Sequence, residues 1–267
     1  MGDRDSTWTR VVPVFDELLA RDRTGQAWLD LLLSMPTLSA RPARAGRAVR
    51  GPLRTWAWGA AEKQLMPPAV LLQWLIACGR PRPGLPLGSS FVTITKRTSL
   101  MQRDPSVIGE ALGLLSHAPV PSRAWYVLEG PSQPDVHLET DDAIIVIEGK
   151  RTESGPTRTT DWMEPRDQML RHLDCAHACR GTKMVLGLMI VEGTGGANAT
   201  TVPKVWDDAA AETVSAPILG ASLPHRLEAE RAAIAESFLG VTTWQAVCAT
   251  FGIDYSALPD TYAPPTA

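Results

Sequence analysis

The longest apolar runs in this chain, such as Ala69 to Cys78 with its polar Gln73, are too short to cross a bilayer. Cysteine is scarce: Cys78, Cys175, Cys179 and Cys248 are irregularly spaced, which excludes a disulfide-stapled secreted scaffold. The opening residues, MGDRDSTWTR, hold acids and no apolar stretch, so no secretory leader is expected. There is no excess of positive charge either. The net charge of −3 excludes a protein that coats polyanions with its whole surface, but it leaves room for a local basic patch. No internal repeat is visible. The glycine-rich GTGGAN (193–198) has no following Lys-Ser/Thr and is not a phosphate loop. A soluble, cytoplasmic, membrane-free protein with reduced thiols is therefore expected. Its 267 residues, 44% of them hydrophobic, suffice for a full core.

Apolar spacing predicts helices over residues 8–35, with a break at Arg21 to Gly25, and over Val70 to Cys78. No acid occurs between Asp30 and Glu62. Arg41, Arg44, Arg47, Arg50 and Arg54 fill that gap, and Trp56 and Trp58 follow. They read either as a phosphate-contacting patch with aromatic neighbours or as a solvated arginine-rich linker. The Pro- and Gly-rich GRPRPGLPLG (79–88) marks the best boundary. Residues 1–88 are thus expected to form a mainly helical N-terminal region that contacts substrate, a partner protein or a second copy. Residues 89–257 would form the main domain and 258–267 a disordered tail.

Within the main domain, Asp104 and Pro105 begin a helix whose apolar face is Val107, Ile108, Ala111, Leu112 and Leu115. Trp125 to Leu128 reads as a strand. Asp161 and Glu164 read as the capping box of another helix, and Lys183 to Val191 as a strand buried on both faces. Further helices are expected at about 225–239 and 243–251. The order helix, strand, strand, strand, helix, strand is α/β, a central sheet flanked by helices.

Chemistry concentrates in PDVHLETDDAIIVIEGK, residues 134–150. With Asp141-Asp142 as a turn, Thr140 pairs with Ala143, Glu139 with Ile144, Leu138 with Ile145, and Asp135 comes opposite Glu148. Period-two alternation puts Lys150 on the same face. Two neighbouring carboxylates resist joint ionisation unless positive charge lies between them. Oxygen donors suit a hard cation such as Mg²⁺, with Mn²⁺ as its substitute. Lys150 could orient or deprotonate a bound water, or stabilise charge on a phosphoryl oxygen. These are the parts of metal-assisted phosphodiester hydrolysis. The simpler alternative is an exposed hairpin whose charges are merely solvated. Against it, Ala143 to Ile147 is apolar on both faces and should be an interior strand.

Pro134-Asp135, twelve residues, then Glu148-Gly149-Lys150 behind the apolar IIVI resembles the PD-(D/E)XK nuclease superfamily, also called restriction-endonuclease-like. The resemblance spans about residues 105–192. It implies a mixed sheet in αβββαβ order and a Mg²⁺-dependent endonuclease acting on DNA rather than RNA. Asp135, Glu148 and the Gly149 carbonyl would bind metal, and Lys150 would be the catalytic lysine. It also implies a metal-site acid on the preceding helix, matched by Glu110, and a glutamine beside the site, matched by Gln168. Arg166 and Arg171 could hold phosphates. The alternative is a catalytically silent nucleic-acid-binding or assembly module with the same fold. His172, Cys175 and Cys179 share a helical face and could offer a zinc or iron–sulfur set. Buried thiols on a core helix are the simpler expectation.

Overall fold

The fully apolar stretches dictate which segments lie at the centre. The computed structural model describes residues 5–40, 49–117 and 119–261. Strands β1 (Thr55–Trp58), β2 (Val136–Glu139), β3 (Ala143–Gly149), β4 (Met184–Val191) and β5 (Phe238–Thr243) form one sheet in sequence order. The first three are antiparallel; β3, β4 and β5 are parallel. The helices are α1 (Val12–Arg21), preceded by a π-helical turn Thr7–Val11, α2 (Leu29–Ser34), α3 (Ala69–Cys78), α4 (Phe91–Met101), α5 (Pro105–Leu115), α6 (Gln168–Cys179), α7 (Lys204–Thr213), α8 (Ala216–Ser222), α9 (Glu228–Ser237) and α10 (Trp244–Phe251).

Every residue of β3 is buried, so both its faces need cover. Ala143, Ile145 and Ile147 pack with Leu186, Leu188 and Ile190 under α1, α2 and α10. Ile144, Val146, Val185 and Met189 face α6, α7 and α9 on the other side. The α/β class is as expected. A separate apolar cluster joins α3, α4 and α5 to Tyr126–Leu128 and Trp162–Met163. Among the described residues no helix is long and apolar enough to cross a membrane.

Several local expectations hold. Asp104 caps α5 by accepting the Ser106 and Val107 N–H groups, and α3 and β4 form where the apolar runs lie. Others do not. Trp125 to Leu128 makes no strand, because Arg97 takes the Trp125 and Val127 carbonyls at 2.9 and 3.2 Å. The edge position beside β2 is filled by β1, from the stretch expected to be mainly helical. The apolar core does not divide at residue 88 either. Leu71, Leu72, Leu75 and Ile76 of α3 bury themselves against Val107, Ala111 and Leu115 of α5.

The helix expected from Asp161 starts only at Gln168, capped by Asp167. Upstream, the Arg166 and Gln168 N–H groups donate to the Arg158 and Thr157 carbonyls, and Arg82 N–H to that of Asp161. These tertiary bonds outcompete the local capping box. The start of the tail is tied down: Arg10 donates to the Pro259 carbonyl at 2.9 Å, and Arg151 pairs with Asp260 at 2.7 Å. Residues 262–267 lie outside the described residues.

Candidate active site

The hairpin has the register that its turn dictates. Val136 pairs with Ile147, His137 with Val146, Leu138 with Ile145 and Glu139 with Ile144. Thr140 N–H closes on the Ala143 carbonyl at 2.9 Å. One step beyond β2, Asp135 comes opposite Glu148, and its Oδ2 accepts the Gly149 N–H at 2.7 Å. Lys150 Nζ lies 2.8 Å from Glu148 Oε1. The three residues meet at the carboxyl end of β3, where ligands of open α/β sheets characteristically bind. Lys150 is anchored twice: its N–H donates to the Ile190 carbonyl at 2.8 Å, and its carbonyl accepts from Trp244 Nε1 at 3.2 Å. Gly149 sits where nothing larger fits. A Cβ there would lie 2.8 Å from the Trp244 ring and 2.9 Å from Val11.

Glu148 is 3% exposed and held by a set of donors. Its Oε1 accepts from Gln168 Nε2 at 2.7 Å as well as from Lys150, and its Oε2 contacts His172 Nε2 at 2.9 Å. Burial alone would raise the Glu148 pKa. The His172 hydrogen bond, with Lys150 behind it, outweighs burial and lowers it. Asp135 goes the other way. Burial first and Glu148 second push it well above the ordinary aspartate value, and Gly149 N–H and Lys150 offset only part of this. Burial would also lower the Lys150 pKa, but Glu148, Glu153 and Asp135 more than compensate and raise it. Lys150 is therefore held as an ammonium, suited to donating and to offsetting negative charge rather than to removing a proton.

The α6 residue anticipated as a companion, Gln168, is in place, and its Oε1 is buried with no partner among the described residues. Glu110 is not in place. It is exposed on α5 and its carboxylate is taken by Lys96. The acid that comes near is Glu62, just beyond β1. Burial, then repulsion from Glu148 and Asp5, raises its pKa. The antiparallel pairing explains this. Trp58 lies opposite Val136, so the chain leaves β1 at the Asp135 end of the hairpin. The N-terminal segment arrives there too, with Ser6 Oγ donating to the Gly149 carbonyl at 3.0 Å and Thr7 Oγ1 to Asp135 Oδ1 at 3.4 Å.

The arginines that the structure describes are otherwise engaged. Arg41, Arg44 and Arg47 fall outside the described residues. Arg54 forks onto Asp141 at 2.8 and 2.7 Å, and the Arg50 N–H meets Asp142 at 3.0 Å. Both are at the turn, about 20 Å along β3 from Gly149 at roughly 3.3 Å per residue. Trp58 is buried and bonded to Asp16, so it offers no stacking platform. Arg166 is inaccessible to phosphate: it is buried between Glu129 and Asp174, each 2.9 Å away. Arg171 donates to the Gly130 and Pro131 carbonyls.

Spacing makes His172 a candidate zinc ligand; the structure turns it toward Glu148 instead. Its Nδ1 lies 2.6 Å from Ser132 Oγ. Ser132, His172 and Glu148 are thus connected like a hydrolase triad, but Ser132 is fully buried and cannot meet a substrate. The cysteines are free thiols. Among the described residues no group of three or more His, Cys, Asp and Glu is gathered to hold a metal ion. No protein-family model matches the sequence, and no curated protein and no solved structure matches it.

Proposed function

We propose that this chain is a Mg²⁺-dependent nuclease with a restriction-endonuclease-like core, cutting DNA internally and accepting Mn²⁺ in place of Mg²⁺. The observation that carries the reading is the hairpin register, which brings Asp135 opposite Glu148 with Lys150 Nζ 2.8 Å from Glu148. Three antiparallel strands followed by α6 and the parallel β4 support the fold reading.

The donors present fit a hard cation. Two carboxylates, the Gly149 carbonyl and Gln168 Oε1, which has no partner among the described residues, are all oxygens, and Mg²⁺ takes one or two carboxylates and fills its remaining positions with water. Asp135, raised by burial and by Glu148, is an incompletely compensated carboxylate that positive charge would relieve. Asp135, Glu148, Gly149 and Gln168 would hold the ion, with Glu62 adding negative charge nearby. When bound, the ion supplies a water of lowered pKa and polarises a phosphoryl oxygen. Lys150 donates to the water or to the oxygen on which charge develops. Gln168 and His172 keep Glu148 from rotating.

One observation favours the alternative of a silent binding or assembly module: Ser6 already occupies the Gly149 carbonyl. Metal titration separates the two. Mg²⁺ should raise the Tm of the native protein but not of Glu148→Gln, and the loaded native protein should cut plasmid DNA. No Mg²⁺-dependent shift and no cutting would leave the silent module.

A further inference from the structure

His172 and Gln168 are four residues apart on α6, so both side chains reach the same carboxylate from one helix face. Gln168 satisfies Glu148 Oε1 and His172 meets Oε2. His172 is 2% exposed, and its second ring nitrogen is backed by Ser132, which is fully buried. Ser132 is fixed by its backbone, whose N–H and carbonyl both pair with Leu65 at 2.8 Å. Its hydroxyl has no partner but His172 Nδ1 among the described residues.

Donor and acceptor roles follow. An ionised Glu148 only accepts, so Nε2 must carry the proton that bridges to Oε2. The Ser132 hydroxyl proton then has one acceptor within reach, Nδ1. A serine that accepted from Nδ1 would leave its own proton unpaired in the interior. Only the Nε2–H form with Ser132 donating leaves none of these polar atoms unpaired.

We propose that Ser132 and His172 are a positioning pair that locks the Glu148 carboxylate in the orientation needed to bind a divalent cation. The proposal rests on the nuclease reading above. His172 does not touch the reacting atoms and acts through Glu148, and Ser132 acts through His172. Groups that orient a metal ligand in this way typically account for about 10–100-fold in metal affinity or activity.

Mn²⁺ is the probe, its binding followed by electron paramagnetic resonance on protein whose fold is checked by circular dichroism. His172→Phe should weaken Mn²⁺ binding about 10–100-fold. His172→Gln, whose amide can still donate to Oε2, should recover most of that loss, and Ser132→Ala should fall between. Cleavage should show a raised half-saturating Mn²⁺ concentration and a near-native rate at saturation. Native Mn²⁺ affinity in His172→Phe would overturn the proposal, as would His172→Gln binding no better than His172→Phe.

A second readout needs no metal. In ¹⁵N-labelled native protein, the His172 ring should be in the Nε2–H form with Nδ1 accepting a hydrogen bond, and Ser132→Ala should remove the Nδ1 hydrogen-bond shift while Nε2 keeps its proton. A native ring in the Nδ1–H form overturns the pair. A native chain that binds no Mn²⁺ would instead refute the nuclease reading. The tautomer result would then decide alone whether Ser132 and His172 hold Glu148.

Discussion

Replacing Asp135 by Asn should stabilise the folded chain at neutral pH while abolishing cleavage. Asp135 is raised well above its ordinary range, by burial and then by Glu148. Asn keeps the shape and an oxygen for the Gly149 N–H, which now donates to Asp135 at 2.7 Å, but carries no charge. The folded carboxyl binds its proton more tightly than the unfolded one, whose ordinary value is 3.8. The native chain therefore loses stability as pH rises from that value through the raised folded one. The Asn variant does not titrate in that window and keeps its stability. Each tenfold step in proton affinity corresponds to about 1.4 kcal/mol above the folded pKa, or ~3–5 °C in Tm for a chain of this size. Urea and thermal unfolding of both proteins between about pH 4 and pH 8, with divalent cations chelated, measures the difference. It should be near zero at the acid end and grow in favour of Asn as pH rises. A difference that does not vary with pH, or an Asn variant less stable at neutral pH, would refute the picture of a carboxyl held in an unfavourable charged state. Added Mg²⁺ should raise the Tm of the native protein alone and so close the gap.

Three other outcomes follow from the same geometry. Gly149→Ala would set a Cβ 2.8 Å from Trp244 and 2.9 Å from Val11, both fully buried; a loss of about 1–3 kcal/mol is expected by urea denaturation. Arg166→Met would leave Glu129 and Asp174 buried without the cation between them, with an expected loss of about 3–5 kcal/mol in the same assay. Glu62→Gln should weaken Mg²⁺ binding and slow cleavage, whereas Glu110→Gln, which only releases Lys96 at the surface, should change neither. Calorimetric Mg²⁺ titration of the two variants tells them apart, and the reverse result would return the metal-site acid to α5.

The hairpin was legible because its information is local. A two-residue turn and an apolar strand leave one register that buries Ala143 to Ile147, and that register carries Asp135, Glu148 and Lys150 with it. The edge strand was not legible. Thr55–Trp58 has only four residues, and its partner, β2, is remote in sequence. Trp125 to Leu128 has stronger strand character, but Arg97 claims its carbonyls. Glu62 was not legible for the same reason: it comes near Asp135 and Glu148 only because β1 runs antiparallel to β2. β5 was hidden at the end of an Ala/Glu/Arg-rich helix, where Phe238 leaves α9 directly for the sheet. The burial of Arg166, expected to hold phosphate, was not legible because Glu129, one of its two partners, lies 37 residues earlier in the chain. For His172, one signal was available: its position four residues after Gln168 puts it on the helix face that meets Glu148.

Lys150, an ammonium beside Glu148, is the group on which the proposed phosphodiester hydrolysis depends most. The measurement closest to it is Mg²⁺-dependent cleavage of linear, circular, single-stranded and branched DNA by the native protein and by Lys150→Met. The native protein should cut at least one of these, and the folded variant should cut it about 10²–10³-fold more slowly, the loss typical of a removed charge-stabilising donor. Equal cutting by Lys150→Met, or a native protein that cuts none of them in Mg²⁺ or Mn²⁺, would contradict it.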